Sequence, residues 1–213
     1  TTIVNTSNDT VCAGEYVDSI SFNSPNPGTT YTWTATNISI GINGNGTDTI
    51  PGFIATNSGT ALQTCDIIVT PDIGGCGGIN DTFQIVVRPM PIVDPTLNQD
   101  LCANDSINGI YFTGNMPSNT YNWTNNNTSI GLNISGTDSI PSYAVINTGV
   151  SIETATIIVT PELNGCFGLN DTFSITVYPL PQVFAGFDTL LCFGQPYTPI
   201  GSGAVSYDWN PGT

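Results

Sequence analysis

Cysteines and carboxylates are the side chains of this 213-residue sequence with the most scope for chemistry, since it contains six Cys and sixteen Asp and Glu. There is no His and no Lys, and Arg88 is the one basic side chain. Enzymes draw their general bases, proton shuttles and amine nucleophiles mainly from His and Lys. A carboxylate pair of the glycosidase kind is all that remains, and no motif places two acids together. We therefore expect a protein that is not an enzyme.

The formal net charge of -15 limits the partners of the chain. Lys and Arg are needed to displace counterions from nucleic-acid phosphates and to bind anionic membranes, so we expect no nucleic-acid partner. The longest apolar runs fall far short of the roughly 20 residues that cross a bilayer, and no signal peptide begins the sequence. The sequence predicts a soluble, mature chain segment without direct membrane insertion.

An internal repeat of 90 residues organises the elements that must position these side chains. Residues 8–91 align with residues 98–181 without a gap, and 39 of the 84 aligned positions are identical. A unit of this length is too long for a solenoid repeat and suits a self-contained sandwich of about seven short strands. We predict an all-β fold of tandem immunoglobulin-like β-sandwich domains arranged end to end. Repeat 1 covers residues 1–91 and repeat 2 covers residues 92–181.

A third copy begins after Pro181. Cys192 lies 90 residues after Cys102, and Tyr207-Asp208-Trp209 resembles Tyr31-Thr32-Trp33 with a shorter loop before it. About 30 residues cannot bury a core of their own. Residues 182–213 are therefore predicted to be the N-terminal part of a truncated third repeat.

Alternation of apolar and polar residues identifies the strands and their inner faces. In residues 81–88 the apolar Phe83, Ile85 and Val87 share one face, which we predict to be core. Trp33 lies at an inward position of a second strand. We interpret it as a core anchor, with sugar stacking as the alternative.

Two cysteines keep their positions in both complete repeats: Cys12 and Cys76 in repeat 1, and Cys102 and Cys166 in repeat 2. The economical pairing joins Cys12 to Cys76 and Cys102 to Cys166. Each disulfide would then tie the first strand of a domain to its last hairpin. Closing such a loop stabilises a small domain by about 3 to 4 kcal/mol in the chain-entropy model, and disulfides imply an oxidising compartment.

The other two cysteines, Cys65 and Cys192, are predicted to have no disulfide partner. The equivalent of Cys65 in repeat 2 is Ala155, and alternation places Cys65 with Ile67 on the inner face. A buried free thiol is favoured there over a redox or intermolecular role. The partner of Cys192 is expected beyond Thr213. Without His or paired CxxC units, no metal site is assigned.

The third segment resembles a class of bacterial surface repeats. Residues 185–194, AGFDTLLCFG, and residues 207–211, YDWNP, resemble the PKD-like, immunoglobulin-type repeats of giant cell-surface proteins from Bacteroidetes-type bacteria. The two complete repeats are similar to that group in their early Cys, Tyr-x-Trp strand, Gly-Cys-x-Gly hairpin and Pro-x-Pro exit. The resemblance implies a gliding-motility adhesin that is exported by the type IX secretion system and attached to the outer membrane. The C-terminal sorting domain of that system is not among these 213 residues, so the export route and gliding rest on the resemblance alone.

The tripeptide Asp-Ser/Thr-aliphatic occurs six times and resembles the O-glycosylation acceptor of the same bacteria. The competing interpretation is an Asx-type turn, in which the Asp caps a nearby N–H and the hydroxyl is merely solvated. Two of the six, Thr49 and Ser139, match in repeat register and are predicted to be the best placed. The six candidate acceptors are Thr10, Ser19, Thr49, Ser106, Ser139 and Thr189.

These features predict a structural stalk segment of a large secreted, extracellular cell-surface adhesin or filament, which extends an adhesive tip for attachment and gliding motility. Its partners would be neighbouring repeats of the same long chain, with lateral self-association and a surface glycan or substratum as further candidates. The alternative is an adhesive module that itself binds glycan or Ca²⁺. Oxygen-rich turns suit Ca²⁺, yet no Asp-x-Asp cluster or EF-hand loop occurs, so no cofactor is assigned.

Overall fold

The computed structural model describes residues 7–206 and 208. Within them, the regular elements are short strands and two 3₁₀ helices of three residues each. The strands of repeat 1 are β1 (Asp9–Cys12), β2 (Tyr16–Val17), β3 (Ile20–Ser21), β4 (Thr30–Ala35), β5 (Asn45–Thr47), β6 (Thr49–Ile50), β7 (Phe53–Ile54), β8 (Gln63–Ile73), β9 (Cys76–Gly77) and β10 (Asp81–Arg88), with the first 3₁₀ helix at Ile38–Ile40.

Repeat 2 has the same elements, each 90 residues later in the sequence. For example, β1 begins at Asp9 and its equivalent begins at Gln99. Its strands are β11 (Gln99–Cys102), β12 (Ser106–Ile107), β13 (Ile110–Tyr111), β14 (Thr120–Asn125), β15 (Ser135–Thr137), β16 (Ser139–Ile140), β17 (Tyr143–Ala144), β18 (Glu153–Leu163), β19 (Cys166–Phe167) and β20 (Asp171–Tyr178), with the second 3₁₀ helix at Thr128–Ile130. An offset that holds for every element means that both repeats encode one fold.

Each repeat builds one large sheet and two short ladders. In repeat 1 the large sheet has the order β1-β10-β8-β4-β5, and β9 pairs with the end of β8. Strand β1 runs parallel to β10, whereas the other pairs are antiparallel. The short ladders join β2 to β7 and β3 to β6. Repeat 2 repeats this order as β11-β20-β18-β14-β15.

This strand order is that of an immunoglobulin-type sandwich. Strands β4, β8 and β10 correspond to its C, F and G strands, which pair in one sheet. The broken strand β2 and β3 pairs with the broken strand β6 and β7, as the B strand pairs with the E strand. The predicted all-β fold of tandem immunoglobulin-like β-sandwich domains is confirmed.

Alternation identified the core correctly. Phe83, Ile85 and Val87 are all buried, and they belong to a single cluster of buried side chains formed within repeat 1. Trp33 is only 1% exposed, so its ring is not available for stacking on a sugar. Its indole Nε1 donates a hydrogen bond to the carbonyl oxygen of Thr49 at 3.2 Å. Trp33 is therefore a core anchor, as predicted.

Gly46 on strand β5 leaves room for the Trp33 ring. A Cβ at this position would lie 2.6 Å from Cζ2 of Trp33, so the ring or the strand must move. We expect Gly46→Ala to lower the free energy of unfolding by about 1–3 kcal/mol through overpacking. Urea denaturation measures this effect. Gly77→Ala is the matched control, because a Cβ there meets no atom within 4 Å; equal stability losses in the two variants would contradict the packing argument.

Tyr143 on β17 carries a buried hydroxyl with no hydrogen-bond partner in the structure. The equivalent residue of repeat 1 is Phe53, which has no hydroxyl to satisfy. Because an unpaired buried hydroxyl costs about 1–3 kcal/mol, we expect Tyr143→Phe to raise the free energy of unfolding by about 1 kcal/mol. The reciprocal variant Phe53→Tyr should lower stability. A Tyr143→Phe protein less stable than the parent would show that the hydroxyl is satisfied.

Burial also raises the pKa of Tyr143 from 10 to about 12. The folded state therefore holds the phenol proton more tightly than the unfolded chain does. Ionisation of Tyr143 therefore leaves the free energy of unfolding unchanged below pH 10 and lowers it as pH rises from 10 to 12, because the unfolded chain ionises first. Between pH 10 and pH 12 the free energy of unfolding of the parent should therefore fall relative to that of Tyr143→Phe. Urea denaturation of both proteins at pH 10 and at pH 12 measures this difference.

The described chain divides into two compact units. Unit 1 contains the described residues of 1–94 together with residues 113–121 and 160–170, and unit 2 contains the described residues of 95–112, 122–159 and 171–213. The large sheets follow the repeats, since repeat 1 supplies every strand of one and repeat 2 every strand of the other. Two segments of repeat 2 nevertheless belong to unit 1. The compact units are thus divided differently from the sheets, and the domain boundaries of residues 1–91 and 92–181 stay a prediction.

The third segment is described over residues 182–206 and at residue 208. Phe184 and Ser202 form an isolated antiparallel bridge in it, and most of its side chains are exposed. Tyr207 and Trp209, which carry part of the predicted third repeat, lie outside the described residues. The assignment of a truncated third repeat stays a prediction.

Candidate functional site: the disulfide and linker cradle of unit 1

A disulfide joins Cys12 to Cys166 within unit 1. Their Cα atoms are 5.6 Å apart, and their positions differ by 154 in sequence. The predicted pairing of Cys12 with Cys76 and of Cys102 with Cys166 is wrong, because Cys76 and Cys102 are free and exposed. Cys12 and Cys166 are disulfide cysteines, but they bond to each other across the two repeats.

The register of the sheet explains why the predicted pairing fails. Cys12 on β1 lies opposite Arg88, the last residue of β10. Cys76 on β9 pairs with Ile73, which lies beyond the point where β10 begins. Strand β10 has eight residues, and a strand rises about 3.3 Å per residue, so Cys12 and Cys76 are about 25 Å or more apart along it. A disulfide needs Cα atoms within about 7 Å.

The remaining cysteines, Cys65 and Cys192, are also free. Cys65 is fully buried in the core of repeat 1, as expected of a small apolar side chain. Cys192 is exposed in the third segment. Neither forms a disulfide in the structure.

Beside the disulfide, the linker that follows β10 is held by two segments of repeat 2. We call residues 89–94, 113–121 and 160–170 the linker cradle; all of them belong to unit 1. Pro89 and Pro91 are buried, and Val93 forms an antiparallel bridge with Gly114. Both prolines of the linker are therefore buried within unit 1.

Polar contacts fasten both sides of the linker cradle. Both polar atoms of the Asn115 side-chain amide form hydrogen bonds with the linker: Oδ1 accepts one from Ile92 N at 2.9 Å, and Nδ2 donates one to Met90 O at 3.1 Å. Arg88 Nη1 donates to the carbonyl oxygen of Asn164 at 2.8 Å. The one basic side chain of the sequence therefore binds the turn that precedes Cys166.

Two glycines allow the backbones of the linker cradle to approach closely. A Cβ on Gly168 would overlap the carbonyl oxygen of Pro91, and one on Gly114 would overlap that of Ile92. The carbonyl oxygens are backbone atoms and cannot rotate away, so a larger residue at either glycine would displace the linker. Sequence reasoning missed this cradle. Gly168 carried a usable signal, because Gly78 occupies the equivalent position in repeat 1.

The disulfide and the linker cradle have a mechanical consequence. The bond closes a covalent loop over the residues between Cys12 and Cys166. Tension applied outside that loop passes through the S–S bond and bypasses the chain between the two cysteines, which includes nearly all of repeat 1 and most of repeat 2. The linker beside the disulfide is held on both of its sides by the contacts of the linker cradle, and these contacts oppose bending there.

The six candidate O-glycosylation acceptors differ in accessibility. Thr10, Ser19, Ser106 and Thr189 are exposed, whereas Thr49 and Ser139 are half-buried. Asp48, which precedes Thr49, accepts a hydrogen bond from Tyr31 N at 2.9 Å, and Tyr31 is 17 positions away in sequence, so this bond is not that of a local Asx-type turn. The two acceptors ranked first from sequence register are therefore the least accessible of the six.

Carboxylates are dispersed over the described surface. Residues 7–206 and 208 contain no group of three or more Cys, Asp or Glu side chains that could hold a metal ion. In the same residues, no helix is long and apolar enough to cross a membrane.

Comparison with known proteins finds matches among solved structures alone. No family model matches the sequence, and no curated protein is significantly similar to it. Among solved structures, the chain is similar to the paired immunoglobulin domains of DIP-gamma, with 10% identity, a TM-score of 0.39 and coverage of 83% of this chain and 97% of that one. It is also similar to human mucin-like protocadherin EC1-2, with 10% identity, a TM-score of 0.34 and coverage of 84% and 98%. These values carry no functional argument, and the strand order alone defines the chain as tandem immunoglobulin-like β-sandwich domains.

Proposed function

We propose that this chain is a structural stalk segment of a large secreted cell-surface adhesin, in which it holds an adhesive tip away from the cell. The observation that carries the proposal is the disulfide between Cys12 and Cys166 beside a clamped linker. A stalk must transmit tension without lengthening. A covalent bypass of this kind prevents the residues inside its loop from extending, whatever happens to their hydrogen bonds.

The surface chemistry also supports a stalk. The charge of -15 makes repulsion between modules strong enough to oppose collapse and unspecific association. The outward positions of the strands carry mainly Thr, Ser and Asn, which remain hydrated, and both repeats keep the same elements while their outer residues vary. Duplication of a core with variable outer faces serves length and display. In this proposal the partners are the neighbouring repeats of the same chain. The proposal also includes three properties of the adhesins that the sequence resembles: attachment with gliding, type IX export and an outer-membrane anchor.

Immunogold electron microscopy of cells that produce the native protein tests the stalk directly. Antibodies against this chain should label filaments at a fixed distance from the cell surface and short of the filament tip. The isolated oxidised chain should not bind the substratum or surface glycans in a sedimentation assay. Labelling confined to the tip, or saturable binding by the isolated chain, would instead identify an adhesive module.

We also propose that exposed Asp-Ser/Thr-aliphatic sites of the stalk carry O-linked glycans. Bulky polar glycans on Thr10, Ser19, Ser106 and Thr189 would increase hydration and protect exposed strands. In the protein isolated from its native source, glycopeptide mass spectrometry should locate glycans on these four residues in preference to Thr49 and Ser139. An intact mass equal to that of the bare chain less its disulfide hydrogens would rule the modification out.

A further inference from the structure

The linker that follows β10 contains the one Asp-Pro pair of the sequence, Asp94-Pro95. We propose that this peptide bond is an acid-triggered self-cleavage site, at which the chain is cut without a protease while the disulfide between Cys12 and Cys166 keeps the two pieces joined. The use of such a bond to a filament rests on the proposed stalk. The cleavage itself is measured independently of any role in attachment.

The two residues of this pair supply a nucleophile and a leaving group for the same bond. Attack by the Asp94 carboxylate on its own backbone carbonyl carbon closes a five-membered ring. Because both groups belong to one residue, the carboxylate acts at an effective concentration that no external reagent reaches. The nitrogen of Pro95 carries no hydrogen in the chain, and its two alkyl substituents make it more basic than an ordinary amide nitrogen. It is therefore the better leaving group once acid has protonated it.

The cleavage consumes one water molecule and needs no other reagent. Acid protonates the nitrogen of Pro95, and a carboxylate oxygen of Asp94 forms a bond to the backbone carbonyl carbon. The C–N bond then breaks, its electron pair stays with the proline nitrogen, and a cyclic anhydride remains on Asp94. Water opens the anhydride to two carboxyl groups, and Pro95 becomes a new N-terminal amine.

The structure leaves the reacting groups accessible. Asp94 and Pro95 are both exposed, so acid and water reach the bond in the folded chain. Within the described residues, both hydrogen bonds of Asp94 are with the uncharged Thr113: Asp94 N donates to Thr113 O at 2.8 Å, and Asp94 Oδ2 accepts from Thr113 Oγ1 at 2.7 Å. The other carboxylate oxygen, Oδ1, is therefore free to attack.

The equivalent position after repeat 2 lacks both reacting groups. Phe184 and Ala185 stand there, so neither a carboxylate nor a proline nitrogen is present. The backbone is nonetheless arranged alike, since Phe184 N donates to Ser202 O at 2.9 Å as Asp94 N donates to Thr113 O. The Asp-Pro pair is thus a chemical feature added to the linker inside the disulfide loop, and the backbone of that linker does not require it.

The contacts of unit 1 predict what holds the cut chain together. Cys12 belongs to the piece of residues 1–94 and Cys166 to the piece of residues 95–213, so their disulfide joins the pieces after the cut. Residues 113–121 and 160–170 of the second piece also belong to unit 1 with the first piece. Tension applied to the two ends still passes through the S–S bond. A cut filament therefore keeps its continuity until the disulfide is reduced.

Mild acid treatment of the oxidised chain tests the proposal. The parent is incubated at about pH 3, where carboxyl groups are partly ionised, or at the lowest pH at which circular dichroism shows intact sheets, and in urea at the same pH. Reducing and non-reducing electrophoresis and intact mass follow the pieces. Asp94→Asn removes the nucleophile, and Pro95→Ala removes the leaving group. Asp100→Asn is the matched control, because it changes an exposed carboxylate that no proline follows.

We expect the parent and Asp100→Asn to be cut at one bond, into residues 1–94 and 95–213. Without reductant, each should remain a single species whose mass has grown by one water molecule, and reduction should release the two pieces. Cleavage of Asp94→Asn and Pro95→Ala should be about 10-fold slower or more, because each lacks one of the two reacting groups. The rates in buffer and in urea should agree within about 10-fold, since an exposed bond does not wait for global unfolding.

Cleavage of the parent at another bond, equally fast cleavage of Asp94→Asn, or cleavage of the parent in urea alone would overturn the self-cleavage site. Release of the pieces without reductant would overturn the claim that the disulfide keeps the cut chain joined. Failure of the proposed stalk would leave all of these rates and masses unchanged, so the two proposals fail separately.

Discussion

Pulled from its two ends, the oxidised chain should reach a contour length about 500–550 Å shorter than the reduced chain. Cys12 and Cys166 are 154 positions apart in sequence, and the residues between them cannot extend while the bond is intact. Each would otherwise add about 3.3–3.6 Å at full extension. Single-molecule force spectroscopy with and without a reductant measures the difference directly.

Two double variants make the pulling experiment specific. Cys12→Ser/Cys166→Ser should give the long contour length under both conditions, because the loop is never closed. Cys76→Ser/Cys102→Ser should behave as the parent does, because both thiols are free in the single chain. A contour length insensitive to reductant in the parent would contradict the disulfide, and with it the mechanical basis of the proposed stalk.

Loss of the same disulfide should lower the free energy of unfolding by about 5 kcal/mol. In the chain-entropy model the effect grows with loop length, and a loop of 154 residues corresponds to about 5 kcal/mol at 25 °C. The loop runs through both repeats, so the bond restricts the unfolded states of both. Equilibrium denaturation in urea, followed by tryptophan fluorescence, compares the parent with Cys12→Ser/Cys166→Ser.

The matched control for this measurement is again Cys76→Ser/Cys102→Ser, which should leave the urea midpoint close to that of the parent. The buried Trp33 and Trp123 report separately on the two repeats if each is replaced by Phe in turn in a chain that also carries Trp209→Phe. A change below about 1 kcal/mol on removal of the disulfide would show that the unfolded chain gains little freedom from its loss.

Sequence patterns predicted the strands and cores because those features depend on local periodicity. Phe83, Ile85 and Val87 alternate with polar residues, and only one face of a sheet can then be apolar. The 90-residue repeat predicted a duplicated fold, and every element recurs at that offset. The same reasoning identified Trp33 as a core side chain, since its position belongs to the inward set of β4.

The cysteine pairing was not accessible to the same reasoning. Repeat symmetry makes Cys12 and Cys76 equivalent in kind to Cys102 and Cys166, and it permits bonds either within a repeat or between repeats. Sheet register separates Cys12 from Cys76 along β10, and that register is known only once β1 is seen to lie parallel to β10. The accessibility of Thr49 and Ser139 likewise depends on the packing around them, which sequence register does not report.

By itself, the sequence determined the fold class, the repeat, the inner faces of β4, β8 and β10 and the shortage of catalytic side chains, because local pattern and composition suffice for these. Only the tertiary structure decided which cysteines meet, that the linker after β10 is clamped, and that Tyr143 buries a hydroxyl without a partner. Each of these depends on distances between residues far apart in the chain. Such distances follow from how strands pair and pack, and a pattern along the chain does not contain them.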